Sequence, residues 1–326
     1  MSYLGNEETL VELPAIEYMK DILKYDFIHG KELIPEKGER DYLTEVILIK
    51  RLEKALKRLN PWMDEGNINK TIRYLSRPEN LGTSLLEINE KLYDTIADLN
   101  YTVDQDIYGN GQKKPQTVNF IDWNNVDNND FLVTRQFEVK TFSGKSIFPD
   151  IVLFVNGIPV VVLECKSPFL EKAKNENIGK KEAYEQLRRY MNERDNNVME
   201  GNPRLFYTNF FTGIMNKYHA YVGTISSKYN HYLEWKDPYP VAKDKVQGVD
   251  DNGQNLFIQG LLEKNNLLDI MRNFLLFEAD NGVTVKKICR YQQFRAVNKA
   301  ISRMNEGKDS YQEVELFGIP KDLENL

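Results

Sequence analysis

Apolar residues recur at helical spacing near the start of the chain. Ile16, Met19 and Leu23 fall three and four apart, so residues 9–24 are expected to form a helix. Leu48, Leu52, Ala55 and Leu59 make one stripe of a second helix over residues 43–59, which Asn60-Pro61 would end. Residues 84–99 open on Ser84-x-x-Glu87, the sequence of a reciprocal N-terminal cap, and carry Leu85, Leu92, Ile96 and Leu99. The rhythm then changes. Strands are expected at residues 118–121 and 131–139, on either side of a turn rich in acids and amides. Two wholly apolar runs, residues 151–155 and 160–163, flank Asn156-Gly157, a strong short-range signal for a hairpin. A helix over residues 180–194 and strands near 205–211 and 220–225 follow. Pro238, Pro240 and the stretch 248–253 read as a linker, and residues 267–277 and 286–304 as helices of a second unit.

Charge appears only at the open end of the central hairpin: Asp150 where the first strand begins, Glu164 and Lys166 where the second ends. Side chains two apart on a strand share a face, so Glu164 and Lys166 point together while Cys165 points away. Ionisable groups at the mouth of an apolar hairpin are costly unless they bind something. A hard divalent cation held by Asp150 and Glu164, with Lys166 beside the nucleophile, answers that cost. The carbonyl of Cys165 offers a further oxygen. Strand parity constrains the hairpin. A regular two-residue turn sets Asp150 opposite Leu163, facing away from Glu164, so an odd-length loop or one bulge is expected.

Asp–x13–Glu–x–Lys with a preceding proline resembles the PD-(D/E)xK nuclease motif. The words around it, FPDIVLFVNGIPVVVLECKSP after VNFIDWNNVDNNDFLVTRQFEV and before EAYEQLRRY, resemble the N-terminal endonuclease region of the restriction (R) subunit of Type I restriction–modification enzymes. LFYTNFFTG, YVGT and EWK follow in the same order, and the resemblance covers most of residues 8–300. It implies an α/β fold with a restriction-endonuclease-like core, a mixed sheet flanked by helices, over residues 1–245. Residues 246–326 would be a linker and the first helical piece of a helicase-like motor domain. The implied activity is Mg²⁺-dependent cleavage of double-stranded DNA, with Mn²⁺ able to substitute. Methylation and specificity subunits are the implied partners, and ATP acts only in the full-length parent protein. A stand-alone repair or junction nuclease and a non-catalytic DNA-docking module fit the same residues.

The resemblance also assigns lesser sites. Gln186 and Tyr190, four apart on a helix beside Arg188 and Arg189, would contact DNA near the metal. Glu12 would bring an acid from the first helix, although Thr9-x-x-Glu12 also reads as a helix cap. Glu45 extends the second helix's stripe in the same manner. Gln293, in RYQQFRAVNKAI, matches a glutamine that reads adenine in R-subunit motors. The chain carries no Walker loop sequence.

Composition adjusts this picture. The 326 residues carry a net charge of −6, unusual for an autonomous DNA binder. Basic stretches do exist: residues 50–58 hold five bases against one acid, and 166–194 hold eight against five. That pattern suggests guided rather than tight DNA contact. Cys165 and Cys289 are the only cysteines and lack metal-ligand spacing, which fits a reducing cytoplasm and no zinc site. Three scattered histidines disfavour histidine-based metal binding. No apolar run approaches the ~20 residues of a membrane span, and the first ten residues lack a signal-peptide pattern.

Overall fold

The computed structural model describes residues 6–169, 178–194, 199–248, 252–280 and 282–305. The chain begins with α1 (Leu13–Glu17), continued at both ends by wider π-helical turns, Glu8–Glu12 and Tyr18–Ile22. After strand β1 (Asp26–His29) come α2 (Ile49–Leu59), α3 (Glu65–Ser76) and α4 (Leu85–Ile96). A hairpin of β2 (Thr102–Gln105) and β3 (Lys114–Thr117) leads to β4 (Phe131–Arg135) and a short pair, β5 (Val139–Lys140) and β6 (Ser146–Ile147). The central hairpin is β7 (Ile151–Val155) and β8 (Ile158–Cys165). Beyond α5 (Ile178–Tyr190) lie β9 (Phe211–Met215), β10 (Ala220–Gly223) and β11 (Leu233–Glu234). Helices α6 (Gly253–Leu262) and α7 (Lys264–Asn273), a hairpin of β12 (Leu275–Asp280) and β13 (Val283–Ile288), and α8 (Tyr291–Asn305) follow.

Seven strands form one mixed sheet in the order β1-β4-β7-β8-β9-β10-β11. Two pairs, β1–β4 and β8–β9, are parallel and the rest antiparallel. Every residue of β7 and β8 is buried. Helices pack on the sheet, α1 against β4, α5 against β8 and β9, α6 against β10. Strands covered on both faces have no polar side to show, so their sequence is continuous rather than alternating. Each buried Val, Leu or Ile there contributes about 1.5–3 kcal/mol.

The turn between β7 and β8 follows its sequence. Asn156 and Gly157 both have positive φ, 52° and 79°, the conformation that matches the twist of a two-residue hairpin. A side chain at Gly157 would also meet Leu48 O at 2.5 Å and Leu52 N at 2.8 Å, so this turn is wedged against the start of α2. The side chain of Asn156 holds the surroundings, donating to Phe120 O and accepting from the N–H of Asp130.

Just after the expected linker, α6 packs closely: residues 254–262 are all buried. Tyr18 and Tyr25 donate to Gln259 Oε1 and to the Leu262 carbonyl, and Gln254 donates to the Val11 carbonyl. Residues 275–277 and 286–288, expected as ends of two helices, lie instead in the β12–β13 hairpin, while 306–326 of the expected second unit and 249–251 of the linker lie outside the described residues. The strand expected over 131–139 breaks at Gln136, whose φ is +55°.

Candidate active site

The open end of the β7–β8 hairpin gathers the charged residues. Val155 pairs with Ile158 and Phe154 with Pro159, but Leu153 pairs with Val161, so Val160 is an extra residue in β8. Of the two expected devices, the bulge is the one used. It restores parity: Ile151 faces Leu163, and Asp150, one step further, comes opposite Glu164. Pro159 sits beside the bulge, where no ladder donor is required. The N–H of Cys165 donates to Asp150 Oδ2 at 2.8 Å, fixing that carboxylate across the strand pair.

Asp150 and Glu164 are 7% and 2% exposed. Burial pushes the Asp150 carboxyl up to about 7, against the pull of the Cys165 N–H and Lys166. Burial, then the neighbouring Asp150, pushes Glu164 well above the usual carboxylate range. Burial also lowers Lys166, but Glu164, Asp150 and Glu7 outweigh it and hold the ammonium above its ordinary value. Its Nζ donates to Glu164 Oε1 at 3.0 Å and to the Cys165 carbonyl at 2.8 Å. Glu164 Oε2 is buried and has no hydrogen-bond partner among the described residues. Such an orphaned carboxylate oxygen is among the costliest groups a fold can keep.

The first helix closes the site. Glu12 is 4% exposed and lies with Glu7 and Asp150 so that one carboxylate oxygen from each falls within 4.8 Å of the others. Glu7 and Glu12 are five apart, about 140° round an ordinary α-helix. The π-helical turn between them, closed by hydrogen bonds of i→i+5 type, brings them back over one another. The cap expected of Thr9 and Glu12 is made instead by Asn6 and Thr9, each accepting the other's N–H, so Glu12 is free for the site. Burial raises Glu7, whose Oε2 accepts from the N–H of Ser167.

Gln136 joins the two groups of acids. Its amide nitrogen donates to Glu12 Oε2 at 3.1 Å and Asp150 Oδ1 at 3.0 Å. The left-handed kink at Gln136 is what turns its side chain out of the β4 line. Gly30 permits that kink, because a Cβ there would lie 2.0 Å from the Gln136 carbonyl oxygen. Arg135 donates to Glu8 Oε1 at 2.7 Å and Glu12 Oε2 at 3.3 Å. Of the residues expected from the sequence, Asp150, Glu164, Lys166 and Glu12 come together here, and Glu7, Arg135 and Gln136, not expected, stand among them. The π turn and the kink bring Glu7 and Gln136 in, and neither has a sequence signature of its own.

The remaining expected residues are placed differently. Tyr190 is 2% exposed, with its hydroxyl donating to the Phe148 carbonyl and accepting from Gln186, so its ring is packed in the core and cannot stack on a base in this conformation. The carbonyl of Cys165 already accepts from Lys166. Gln186 lines a surface pocket of about 510 Å³ with Lys166, Lys181 and Arg194. Arg188 is paired with Glu193, and Arg189 lies against the Tyr190 ring. Glu45 caps its own turn, accepting from the N–H groups of Asp41 and Tyr42. Gln293 accepts from the N–H of Arg290 at the start of α8. No helix among the described residues is long and apolar enough to cross a membrane.

Comparison with known proteins agrees with the resemblance to R-subunit N termini. The family described as "Type I restriction enzyme R protein N terminus" matches residues 5–231, which include the whole hairpin and its acids. The Type I restriction enzyme HindI endonuclease subunit of Haemophilus influenzae is 30% identical over 285 residues, 86% of this chain and 25% of the relative. The protein named "Putative type I restriction enzyme MjaIXP endonuclease subunit", from Methanocaldococcus jannaschii, is 29% identical over 320 residues, 91% of this chain and 28% of the relative. The chain thus spans about a quarter of the length of these relatives. It belongs to the family of Type I restriction enzyme R protein N termini.

Proposed function

We propose that this chain is the nuclease module of a Type I restriction enzyme R subunit and hydrolyses phosphodiester bonds of double-stranded DNA with a divalent metal, Mg²⁺ by preference and Mn²⁺ as a substitute. The observation that carries the reading is a set of buried carboxylates at one hairpin mouth, one of whose oxygens has no partner among the described residues. The donor set fits a hard cation: Asp150, Glu12 and Glu7 each bring one oxygen within 4.8 Å of the others, and Glu164, which feels the Asp150 charge, offers a further unpaired one. Asp150 and Glu164 would hold the ion, with Glu12 and Glu7 completing the acidic wall. Once bound, such an ion neutralises charge on the scissile phosphate and lowers the pKa of water.

The chain's own residues supply the rest. The N–H of Cys165 and the amide of Gln136 keep the Asp150 oxygens directed across the hairpin mouth. The Lys166 ammonium, charged across the physiological range, orients the attacking water and offsets charge that develops on phosphorus. Gln186, Arg188 and Arg189 lie on the helix beside Lys166 and would guide the DNA backbone, Tyr190 acting from the core by holding Gln186 in place. In the parent protein the remaining chain would translocate DNA with ATP, and methylation and specificity subunits would choose the site. Residues in and after α8, Gln293 among them, are the proposed approach to that motor.

Isothermal titration of the chain with Mg²⁺ and with Mn²⁺ tests the metal site. Saturable binding that disappears in Asp150→Ala is expected. Equal binding by wild type and variant would remove the proposed ligand set.

A further inference from the structure

A sizeable cavity lies away from the acids. It encloses about 580 Å³ between the segment leading into α2, the helix α3, and the turn at Arg204. Thr208, on its wall, donates to the Pro159 carbonyl, beside the closed end of the β7–β8 hairpin. The length of β7, five residues, puts that end about 17 Å from the carboxylates.

Its chemistry is divided. Ile47, Ile49, Ile72 and Leu75 make an apolar floor, while Arg73, Arg77 and Arg204 stand round it. Among the described residues no ion pair or hydrogen bond engages the guanidinium of Arg73 or Arg77, and both residues are exposed. The acids nearby are already used: Glu45 caps its own turn, and Glu79 pairs with Arg204. The Arg204 guanidinium lies 5.2 Å from the centre of the Phe142 ring, and its Nε is buried without a partner. Tyr42, on the cavity wall, is 68% exposed and Phe142 is 66% exposed. On a chain of net charge −6, this is a local concentration of unspent positive charge beside open aromatic rings.

We propose that this cavity binds an unpaired nucleotide of a DNA strand, with its base against the apolar floor and its phosphates on Arg73 and Arg77. A bare phosphate would use the arginines and leave the floor wet. A base stacked inside a duplex cannot reach a recessed floor, whereas an unpaired base can. Exposed aromatic rings interleaved with guanidinium groups are how proteins hold single strands without reading sequence, each stacked base contributing about 1–3 kcal/mol. The site is separate from the carboxylates, so it anchors a strand at a distance from the cut and does not rest on the metal assignment.

The test is fluorescence anisotropy of a labelled ten-nucleotide oligothymidylate titrated with the chain in EDTA, where metal chemistry is silent. Saturable, salt-sensitive binding is expected. Arg73→Glu combined with Arg77→Glu should weaken it at least tenfold and flatten the salt dependence by about 0.7 per lost phosphate contact. Tyr42→Ala should weaken it a few-fold. Both arginines are exposed, so the double variant keeps the fold, which circular dichroism checks. Wild-type affinity in the double variant overturns the proposal, as does equal binding of a blunt duplex of the same length. Displacement by ATP as strongly as by unlabelled oligonucleotide would make the ligand a free nucleotide. Displacement by an acidic, leucine-containing peptide alone would make it a protein segment. Either result overturns the assignment to a DNA strand.

Discussion

Two regions bury charge, and they do it in opposite ways. At the hairpin mouth, Asp150, Glu12 and the partly buried Glu7 crowd together, and Glu164, which feels the Asp150 charge, keeps one oxygen unpaired among the described residues. On β13, Lys286 is 2% exposed and has no acidic partner among the described residues, yet the chain meets its needs. Its Nζ donates to Asn89 Oδ1 at 2.9 Å and to the Asn209 carbonyl at 2.7 Å. The rings of Tyr93, Phe210 and Phe277 surround it at 5.2–5.5 Å. Burial lowers its pKa well below the ordinary value, which is the cost of keeping a cation there. Carbonyls and ring faces offset that cost within the chain. The difference separates two kinds of buried charge. Lys286 is complete and fastens the β12–β13 hairpin to the sheet, whereas the acids are incomplete and call for a partner from outside.

The largest expected effect follows from incompleteness. In the parent enzyme, Asp150→Ala, Glu164→Ala and Lys166→Ala should each lower DNA cutting by at least about a hundredfold, the scale on which preorganised electrostatic groups act. ATP-driven translocation should continue, because the motor is proposed to lie elsewhere in the relatives' length. Plasmid cleavage and a strand-displacement assay separate the two. Near-normal cutting by any of the three would remove that residue from the site.

Lys286 should respond in the opposite sense. Lys286→Met leaves Asn89 Oδ1 without its donor and takes one of two donors from the Asn209 carbonyl, which the Asn89 amide still meets, a loss of about 1–3 kcal/mol in stability. Urea denaturation would read that loss, while cutting per folded molecule should stay close to wild type. A variant that is stable but inactive would show that the cage serves the chemistry, and the distinction between the two regions would collapse.

The pH dependence sharpens the comparison further. The Asp150 carboxyl is raised to about 7 in the fold, above its unfolded value near 4, so the native state binds the extra proton between those limits. Stability from this group is therefore present at low pH and lost as pH rises through about 7. Without metal, the melting temperature should fall from pH 5 to pH 8, and Asp150→Asn should flatten that fall. Added Mg²⁺ should stabilise more at pH 8 than at pH 5, since the ion competes with protons for the same oxygens. A metal effect independent of pH would argue that the carboxylates are not the ligands.

How much of this was legible in the sequence divides along similar lines. The hairpin, its three charged residues and the need for a parity correction all follow from strand alternation, because alternation is a local rule. The correction turned out to be a bulge at Val160, which lets the favoured Asn156-Gly157 turn remain two residues long. Glu7 was hidden because helical spacing was counted at 3.6 residues per turn, and the chain uses a wider turn there. Gln136 was hidden inside an apparently regular strand, since the close approach of Gly30 that permits its kink is a long-range fact. Residues 275–277 and 286–288 misled because apolar spacing near α7 runs on into the hairpin, and the pull of Lys286 toward Asn89 and Asn209 is tertiary. Tyr190 was expected to contact DNA from the family resemblance, but its ring fills the core.

The smallest expected effect concerns Gln186, which stands between the two kinds of residue. Its amide donates to the Tyr190 hydroxyl at 2.8 Å, which in turn donates to the Phe148 carbonyl just before Pro149-Asp150. That chain runs from the surface pocket beside Lys166 back toward the segment that carries Asp150. If Gln186 contacts the DNA backbone, Gln186→Ala should weaken cutting a few-fold through DNA affinity and leave Mg²⁺ binding unchanged. If it acts by holding Tyr190 and the Asp150 segment, metal affinity should drop about tenfold or more, the usual cost of removing an outer partner. Measuring DNA binding and Mg²⁺ binding on the same variant decides between them. Tyr190→Phe adds a control, because it breaks the same chain of hydrogen bonds while leaving the Gln186 amide free to meet a phosphate.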